Sequence, residues 1–229
     1  MDCVSNCLSD SNFLFKHLNK NELELTISEK IEGIHKRGAV LYREGARING
    51  IYCINSGILK VFKTGNDGKE QILRFASSGE IIGYRSVLSS ELACTTAEAI
   101  SEATTCYIPG EIVIELIKNN GDFALELMQL TCRELGEANS YITDIAQKTA
   151  KERLAEILIH LKDEFGVDEN KVLKISLTRE ELANIVGTAT ESIIRMLSEF
   201  KHEGLLEIKG REIKILNLSG LVNISNSFY

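Results

Sequence analysis

The sequence predicts an α+β fold in which a small antiparallel β-barrel of the jelly-roll type precedes a long helix and a winged helix-turn-helix. Between Gly38 and Pro109, short runs of β-forming residues are separated by glycines, at a spacing typical of small barrels or sandwiches. Residues 122–147 form an almost uninterrupted helical pattern. Residues 177–206 contain two short amphipathic segments that meet at Gly187.

The composition predicts a globular chain that stays in the cytoplasm. Its 229 residues allow one large domain or two small ones. No apolar run approaches the about 18 residues that a membrane-spanning helix needs. The N-terminus lacks the basic and apolar regions of a secretory signal. The six cysteines are therefore expected to be thiols or metal ligands rather than disulfides.

Short β-rich runs define the N-terminal barrel. They include AVLYREG, GIYCINSGILKVFKT, EQILRFASSG, EIIGYRSVL, CTTAEAI and TTCYIP. Residues 64–68, TGNDG, join two of them and have the composition of a hairpin loop. Residues 13–34 contain a helical pattern ahead of the barrel, and Asn19 or Asn21 can cap that helix. The pattern fits a barrel that binds a ligand, and it fits equally a β scaffold without one.

The apolar residues of 122–147 form a narrow stripe, with about two positions in every seven residues. Its members recur at three- and four-residue steps: Met128, Thr131 or Cys132, Leu135, Ala138, Ile142 and Ile145. So narrow a stripe is typical of a helix that pairs with its own twin. The alternative is a helix that packs against its own barrel. The sequence therefore predicts a dimerisation helix over 122–147.

Residues 177–206 have the pattern of a helix-turn-helix. Thr178 can cap the first helix, and Glu181, three residues later, completes a capping box. Gly187 can adopt the positive φ that a sharp turn often needs. The second helix of such a motif enters the major groove of DNA. The alternative is an ordinary helical hairpin within a core.

A tight β-hairpin follows the second helix and carries two cations, Lys209 and Arg211, at its tip. This pattern predicts the wing of a winged helix, with a tip placed to touch a phosphate backbone. The alternative is a plain solvated hairpin. The net charge of −7, with 11 Lys/Arg against 13 Asp/Glu in residues 150–229, gives DNA binding no support. It does not oppose it either, because affinity depends on where the cations lie.

The order of barrel, long helix and winged helix-turn-helix resembles the CRP/FNR family of bacterial transcription regulators, over about residues 13–216. The motifs that carry this resemblance are Gly38-x6-Gly45, Tyr52-x-Ile54-x-x-Gly57, Gly79-Glu80-x-x-Gly83, Leu177-Thr178-Arg179, Ile185-Val186-Gly187, Glu191-x-x-x-Arg195 and Leu206-x-x-x-Gly210-Arg211-x-Ile213.

The resemblance implies a cyclic-nucleotide-binding-like sensor barrel over 1–121, a dimerisation helix over 122–147 and a DNA-binding domain over 148–229. It further implies a homodimer that reads a palindromic operator in double-stranded DNA and contacts RNA polymerase. A signal at the barrel or the dimer helix would shift the two recognition helices towards or away from a spacing of one helical turn.

The resemblance assigns base contacts to the start of the second helix. Glu191 and Arg195 match the family's pair of base readers, since Arg suits the acceptors of guanine and a carboxylate accepts from cytosine. Their i,i+4 spacing also lets each hold the other in place. Thr190 stands where cAMP-responsive members have Arg, which favours the FNR-like branch. Ile194 replaces a Ser common in that branch, so contact with a thymine methyl group is expected.

Contacts with the DNA backbone are expected from residues around the motif and the wing. They are Thr178, Arg179, Thr188, Ser192, Lys209 and Arg211.

The sensor domain departs further from the cAMP-binding members of the family. Those members follow Gly83 with a Glu for the ribose and carry an Arg-Ser pair for the phosphate, whereas this chain has Tyr84 and, in the second stretch, Cys94-Thr95-Thr96 without Arg. A buried phosphate without a cation is costly, so we expect no cAMP binding and leave the effector unknown. The candidate effector pocket comprises Tyr84, Arg85, Ser86, Cys94, Thr95, Thr96 and Asn139.

The cysteines offer an alternative signal, because FNR-like members hold an iron–sulfur cluster with three N-terminal cysteines and one in the barrel. Cys106 matches the barrel position, and Cys3 and Cys7 loosely resemble the N-terminal group, but a third cysteine is missing there. A cubane cluster normally needs four protein ligands, so no metal site is predicted. The cysteines expected to serve only as apolar packing are Cys53, Cys94 and Cys132. Open alternatives are a small-molecule or redox sensor and a dimeric regulator that senses nothing.

An enzyme is the rival class of function. The sequence shows no metal triad, paired catalytic carboxylates, nucleophile elbow or phosphate-binding loop. The four histidines, His17, His35, His160 and His202, are scattered, so they are expected at the surface or in packing. The expectation is therefore a protein that is not an enzyme.

Overall fold

The computed structural model of the chain describes residues 14–225. The chain divides into two compact units, with the boundary between Gly136 and Glu137. Within the described range, no helix is both long enough and apolar enough to cross a membrane.

The described part of the first unit, residues 14–136, contains eight strands in two antiparallel sheets. The strands are β1 (Ile31–His35), β2 (Val40–Tyr42), β3 (Gly50–Ser56), β4 (Leu59–Thr64), β5 (Glu70–Ala76), β6 (Ile81–Ile82), β7 (Thr96–Ala99) and β8 (Ala103–Pro109). One sheet has the order β1-β8-β3-β6 and the other β2-β7-β4-β5. The predicted antiparallel jelly-roll fold is therefore confirmed.

The strands enclose a continuous apolar core because one face of each turns inward. The residues between the sheets include Ile54, Leu59, Ile82 and Ala97, all almost completely buried. Gly57 makes the turn from β3 to β4 with φ +85°, and a Cβ atom there would collide with the carbonyl of Glu102. The run GIYCINSGILKVFKT accordingly forms two strands rather than one.

The predicted loop 64–68 connects β4 to β5. The N–H of Gly65 donates to the carbonyl of Lys69 at 2.8 Å, and Gly68 adopts φ +80°. Glycine tolerates this left-handed conformation without steric cost. The predicted hairpin is therefore confirmed.

Helices flank the sandwich: α1 (Lys20–Glu29), α2 (Tyr84–Ser89) and α3 (Gly110–Asn119), with a 3-10 turn at Leu14–His17. Asn19 caps α1 in a capping box with Glu22, as expected for the helical pattern in 13–34. The prediction of a β-rich run over EIIGYRSVL is wrong in its second half. Gly83 adopts φ +85° and ends the short β6, and the chain then forms α2 with Tyr84 and Ser86 buried.

The long helix α4 (Gly121–Gln147) begins in the first unit and ends in the second. The side chain of Asn120 accepts from the N–H of Phe123 at 3.0 Å, which satisfies a free donor at the start of the helix. Phe123 and Leu127 are buried in the first unit, and the Phe123 ring lies 5.9 Å from the Phe15 ring. Packing of its first two turns therefore anchors α4.

The second unit is a helical domain with a β-hairpin. Its elements after the end of α4 are α5 (Ala150–Phe165), α6 (Arg179–Val186), α7 (Thr190–His202), β9 (Leu206–Lys209), β10 (Glu212–Ile215) and α8 (Leu218–Ser225). Its core contains Leu154, Leu158, Leu182, Ile193 and Phe200, which are fully buried. The predicted helix-turn-helix and wing are both confirmed.

Local capping explains why α6 and α7 form. Thr178 accepts from the N–H of Glu181 at 3.0 Å, and the Glu181 carboxylate accepts from the N–H of Thr178 at 2.6 Å. Gly187 ends α6 in the left-handed conformation, with φ +71°, and its N–H donates to the Ala183 carbonyl at 2.9 Å. This glycine cap satisfies a carbonyl of the last turn and turns the chain towards α7.

Candidate nucleic-acid interface and effector pocket

The recognition helix α7 buries one face and exposes the other. Its buried face consists of Ile193, Met196, Leu197 and Phe200. Glu191, Ile194 and Arg195 lie on the opposite face, and Ile194 is 54% exposed. The three predicted base readers therefore share one solvent-facing surface, with the half-buried Thr190 at its start.

The predicted mutual support between Glu191 and Arg195 is not found. Among residues 14–225, Arg195 pairs instead with Glu199 on the following turn, where Nε lies 3.9 Å from Oε1. Both side chains are largely exposed, so this pair contributes little stability. Since the contact is weak, the guanidinium of Arg195 can leave it at small cost to meet a base edge.

The predicted backbone contacts differ in their surroundings. Lys209 and Arg211 are exposed on either side of Gly210, which has φ +60° at the two-residue turn of the hairpin. Ser192 and Thr188 are half-buried, and the Thr178 hydroxyl accepts the capping bond of α6.

Arg179 has a structural contact that the sequence did not predict. Its Nη2 donates to the carbonyl of Gly210 at 2.7 Å, which ties the start of α6 to the tip of the wing. Its Nη1 is buried without a hydrogen-bond partner among the described residues, and burial lowers the pKa of the guanidinium. Arg179 therefore holds the tip of the wing, in addition to its predicted place among the DNA-backbone contacts.

The apolar stripe of α4 is uncovered along its length. Leu135 is 62% exposed and Ile142 is 65% exposed, and the other members of the stripe, Met128, Ala138 and Ile145, are exposed as well. Water contact over a continuous apolar stripe is unfavourable, at roughly 25 cal/mol per Å². This observation disfavours the alternative in which the stripe packs against its own barrel.

The predicted effector pocket is only partly assembled. Tyr84, Ser86 and Thr96 are buried, and the Thr96 hydroxyl accepts from the N–H of Glu44 at 3.0 Å. Cys94 and Thr95 are half-buried, whereas Arg85 points to solvent. Asn139 is exposed on α4. The one cation in the predicted set therefore does not face the interior of the barrel.

The sequence reasoning missed a partly buried ion-pair cluster in the first unit. Arg74 donates from Nη1 to Glu80 at 2.9 Å and from Nη2 to Glu134 at 3.0 Å. It also lies close to the carbonyls of Phe75 and Ile81. The only signal in the sequence is a cation inside the apolar run ILRFA of β5, and its partner Glu134 lies 60 residues further along the chain.

Two tyrosines complete this cluster. Burial raises the pKa of Tyr42 to about 12, and burial together with the nearby Glu134 carboxylate raises the pKa of Tyr84. Within residues 14–225, the Tyr84 hydroxyl forms no hydrogen bond of normal geometry. A cavity of about 110 Å³ lies beside the cluster, lined in part by Leu14, Arg74, Glu126, Arg133 and Glu134.

The cysteines give no complete cluster site in the described part of the chain. Cys53, Cys94 and Cys132 form no disulfide, whereas Cys106 is disulfide-bonded, so the expectation of thiols or metal ligands rather than disulfides is wrong for Cys106. Cys3 and Cys7 lie outside the described residues. From Leu14 to Ser225, no group of three or more His, Cys, Asp or Glu side chains could hold a metal ion.

A two-sheet barrel, a long helix with an uncovered apolar stripe, and a winged helix-turn-helix with outward-facing Glu191 and Arg195 are the architecture of a DNA-binding regulator. Known family models match both the barrel and the helix-turn-helix domain. Residues 34–120 match the cyclic nucleotide-binding domain, and residues 152–224 match the Crp-like helix-turn-helix domain.

Similar proteins identify the family. The chain is 32% identical over 189 residues to the transcriptional activator protein FnrA of Stutzerimonas stutzeri, covering 81% of this chain and 77% of FnrA. It is 29% identical over 212 residues to the fumarate and nitrate reduction regulatory protein of Vibrio cholerae, covering 91% and 84%. The chain belongs to the CRP/FNR family and to its FNR-like branch, and it is a DNA-binding transcription regulator.

Solved structures share the fold. A transcriptional regulator of the CRP/FNR family from Eubacterium rectale superposes with a TM-score of 0.79 at 24% identity, covering 95% of this chain and all of that one. FixK2 from Bradyrhizobium japonicum also gives 0.79, at 22% identity, covering 87% and 99%.

Proposed function

We propose that this chain acts as a cytoplasmic homodimer that binds a two-fold palindromic DNA site and regulates transcription through RNA polymerase. In this proposal residues 1–121 form the sensor barrel, 122–147 the dimerisation helix and 148–229 the DNA-binding domain. The observation that carries the proposal is the solvent-facing surface of α7, which presents Glu191, Ile194 and Arg195 together. No enzymatic activity is proposed.

The dimer follows from the uncovered stripe of α4. Its members recur at the heptad spacing of a two-stranded coiled coil, in which each apolar side chain inserts between four side chains of the partner helix. Pairing along this stripe would remove Met128, Leu135, Ala138, Ile142 and Ile145 from water. A parallel pair also places two recognition helices about a two-fold axis, which is the geometry that a palindrome requires.

Each recognition helix would read one half-site. Arg195 would bind the O6 and N7 atoms of a guanine, Glu191 would accept from the amino group of a cytosine, and Ile194 would contact a thymine methyl group. Thr190 would complete the base-reading surface at the start of the helix. Phosphate contacts would come from Thr178, Arg179, Thr188, Ser192, Lys209 and Arg211, with Arg179 also holding the wing tip.

The signal is proposed to differ from cAMP. A cyclic nucleotide would need a cation for its buried phosphate. The interior cation of the barrel, Arg74, is already neutralised by the carboxylates of Glu80 and Glu134, and Arg85 faces solvent. Three alternatives stay open: a different effector, a redox signal at the cysteines, and a barrel that senses nothing. Thermal-shift screening of ligands with and without oxygen distinguishes them.

Substitution of the two base readers tests the proposed function. Arg195→Ala is expected to weaken binding to the selected palindrome by about 1–3 kcal/mol while leaving binding to unrelated DNA almost unchanged, since a bidentate base contact contributes this much discrimination. Glu191→Ala should relax the preference at the cytosine position. Arg47→Ala and Glu91→Ala, at exposed sites of the first unit, are the matched controls in the same gel-shift titration. Retention of full sequence preference in both α7 variants would refute the assignment.

A further inference from the structure

Three consecutive main-chain carbonyls at the C-terminal end of α6 are held by side chains from two other helices. Tyr141 on α4 donates from its hydroxyl to the carbonyl of Ile185 at 3.2 Å. Arg153 on α5 donates from Nε to Val186 at 2.9 Å and from Nη2 to Gly187 at 3.3 Å. We refer to these three bonds as the carbonyl clamp.

Helix ends normally leave such carbonyls to water or to a local cap. Here the N–H groups of Gly187 and Thr188 both donate to the carbonyl of Ala183, which lies earlier in the helix. The carbonyls of the clamp, at residues 185–187, accept from side chains instead. Each bond has a fixed direction, so together they define the orientation of the end of α6 more strictly than solvent would.

The same guanidinium also holds the junction between α4 and α5. Arg153 donates from Nη1 to the carbonyl of Lys148 at 2.6 Å. Lys148 in turn pairs with Asp144 on α4 at 2.8 Å and with Glu156 on α5 at 2.7 Å. The Arg153 side chain thus holds both the connection between α4 and α5 and the end of α6.

The clamp lies directly before the recognition helix. Gly187 accepts the last of its bonds, and α7 begins at Thr190 with Glu191 in its first turn. Only residues 188 and 189 separate the clamp from α7, so a displacement of the end of α6 should also move the start of the base-reading surface. Each of the three guanidinium nitrogens of Arg153 donates to a carbonyl within this unit, so the side chain is not presented to a phosphate.

We propose that Tyr141 and Arg153 are positioning residues that fix the direction of the recognition helix relative to the C-terminal end of α4. This inference rests on the proposed function, since the direction of α7 matters only if two recognition helices must meet two half-sites. In such a dimer the angle between α4 and α7 sets the distance between the half-sites that the protein accepts. The clamp would therefore determine half-site spacing selectivity without touching DNA.

Two conservative variants test the inference. Tyr141→Phe removes one hydroxyl, and Arg153→Lys keeps the charge but loses the planar three-way donor. Tyr107→Phe and Arg47→Lys, in the first unit, are the matched controls. Affinity is measured by fluorescence anisotropy for the selected palindrome and for versions with one base pair inserted or removed at the centre, under conditions where urea titration shows every variant folded.

Wild-type protein and both controls should prefer the native spacing strongly. Tyr141→Phe should weaken binding at the native spacing by about 2- to 10-fold, the range of one hydrogen bond, and Arg153→Lys by about 10-fold or more. Both should reduce the preference for the native over the altered spacing and leave the salt dependence unchanged, since no phosphate contact is lost.

The outcomes separate the inference from the proposed function. Equal weakening at all spacings, or no weakening in either variant, would overturn the clamp while leaving the proposed function standing. A decreased salt slope for Arg153→Gln, which removes the charge, would show a phosphate contact and would also overturn it. If the wild-type protein showed no preference for any palindrome, the proposed function would fail, and the inference with it.

Discussion

The uncovered stripe of α4 makes a quantitative prediction about dimerisation. Ile142→Ala removes three carbons from a side chain that is 65% exposed in the single chain. A partner helix in the dimer would bury this exposed part of the side chain. Because each buried CH₂ contributes about 0.8 kcal/mol, removal of the three carbons should cost about 1.6 kcal/mol of dimerisation free energy per subunit. A two-fold dimer loses it twice, about 3 kcal/mol, which corresponds to roughly 200-fold in the dimer dissociation constant.

Analytical ultracentrifugation measures this constant directly. The matched control is Ile34→Ala on β1, because Ile34 is 78% exposed but lies away from the α4 stripe. The control should dimerise like the wild type, while Ile142→Ala shifts to monomer over the same concentration range. An unchanged dissociation constant for Ile142→Ala, or an equal change for Ile34→Ala, would refute the assignment of α4 as the dimerisation helix.

Further predictions concern the barrel and the wing. Glu134→Gln should lower the free energy of unfolding by about 1–3 kcal/mol, because it leaves the partly buried Arg74 guanidinium with one carboxylate partner. Urea titration measures this loss. The control, Arg133→Gln, should lose less stability because the ion pair of Arg133 with Glu126 is longer and more exposed. Lys209→Gln and Arg211→Gln should each reduce the slope of log affinity against log salt by about 1 without changing sequence preference; an altered preference would contradict their role as phosphate contacts. Isothermal titration calorimetry with cAMP should detect no binding, because the Arg74 charge is already neutralised, and tight binding would show that this reading of the barrel is wrong.

The DNA-binding half could be predicted largely from sequence because its signals are local. Thr178 and Glu181 lie three residues apart, and Gly187 ends the same helix, so cap, helix and turn are readable within ten residues. The heptad stripe of α4 is likewise a local pattern, and the exposure of Leu135 and Ile142 agrees with the interpretation made from it.

The interior of the barrel could not be predicted because its contacts are long-range. The partner of Arg74 lies on α4, and nothing near either residue indicates that they meet. The β-rich run predicted over residues 80–88 is wrong in its second half for a related reason. Its apolar residues suit either a strand or a buried helix, and the backbone at Gly83 decides between them. Tertiary packing, not local preference, determines both features.

The contacts of Arg195 and Arg179 show the same limit in the second unit. The i,i+4 spacing of Glu191 and Arg195 predicted mutual support, but Arg195 turns towards Glu199 instead. Arg179 was expected at a phosphate, and its guanidinium also holds the carbonyl of Gly210. In each case the residue type was readable from sequence, while the partner depended on how separate helices approach each other.

Selection of binding sites from randomised double-stranded DNA by the purified protein tests the central claim most directly. We expect enrichment of a two-fold palindrome whose half-site centres lie about one helical turn apart, with a guanine and a cytosine at the positions read by Arg195 and Glu191. Enrichment of a single unrepeated half-site, or of no sequence at all, would contradict it.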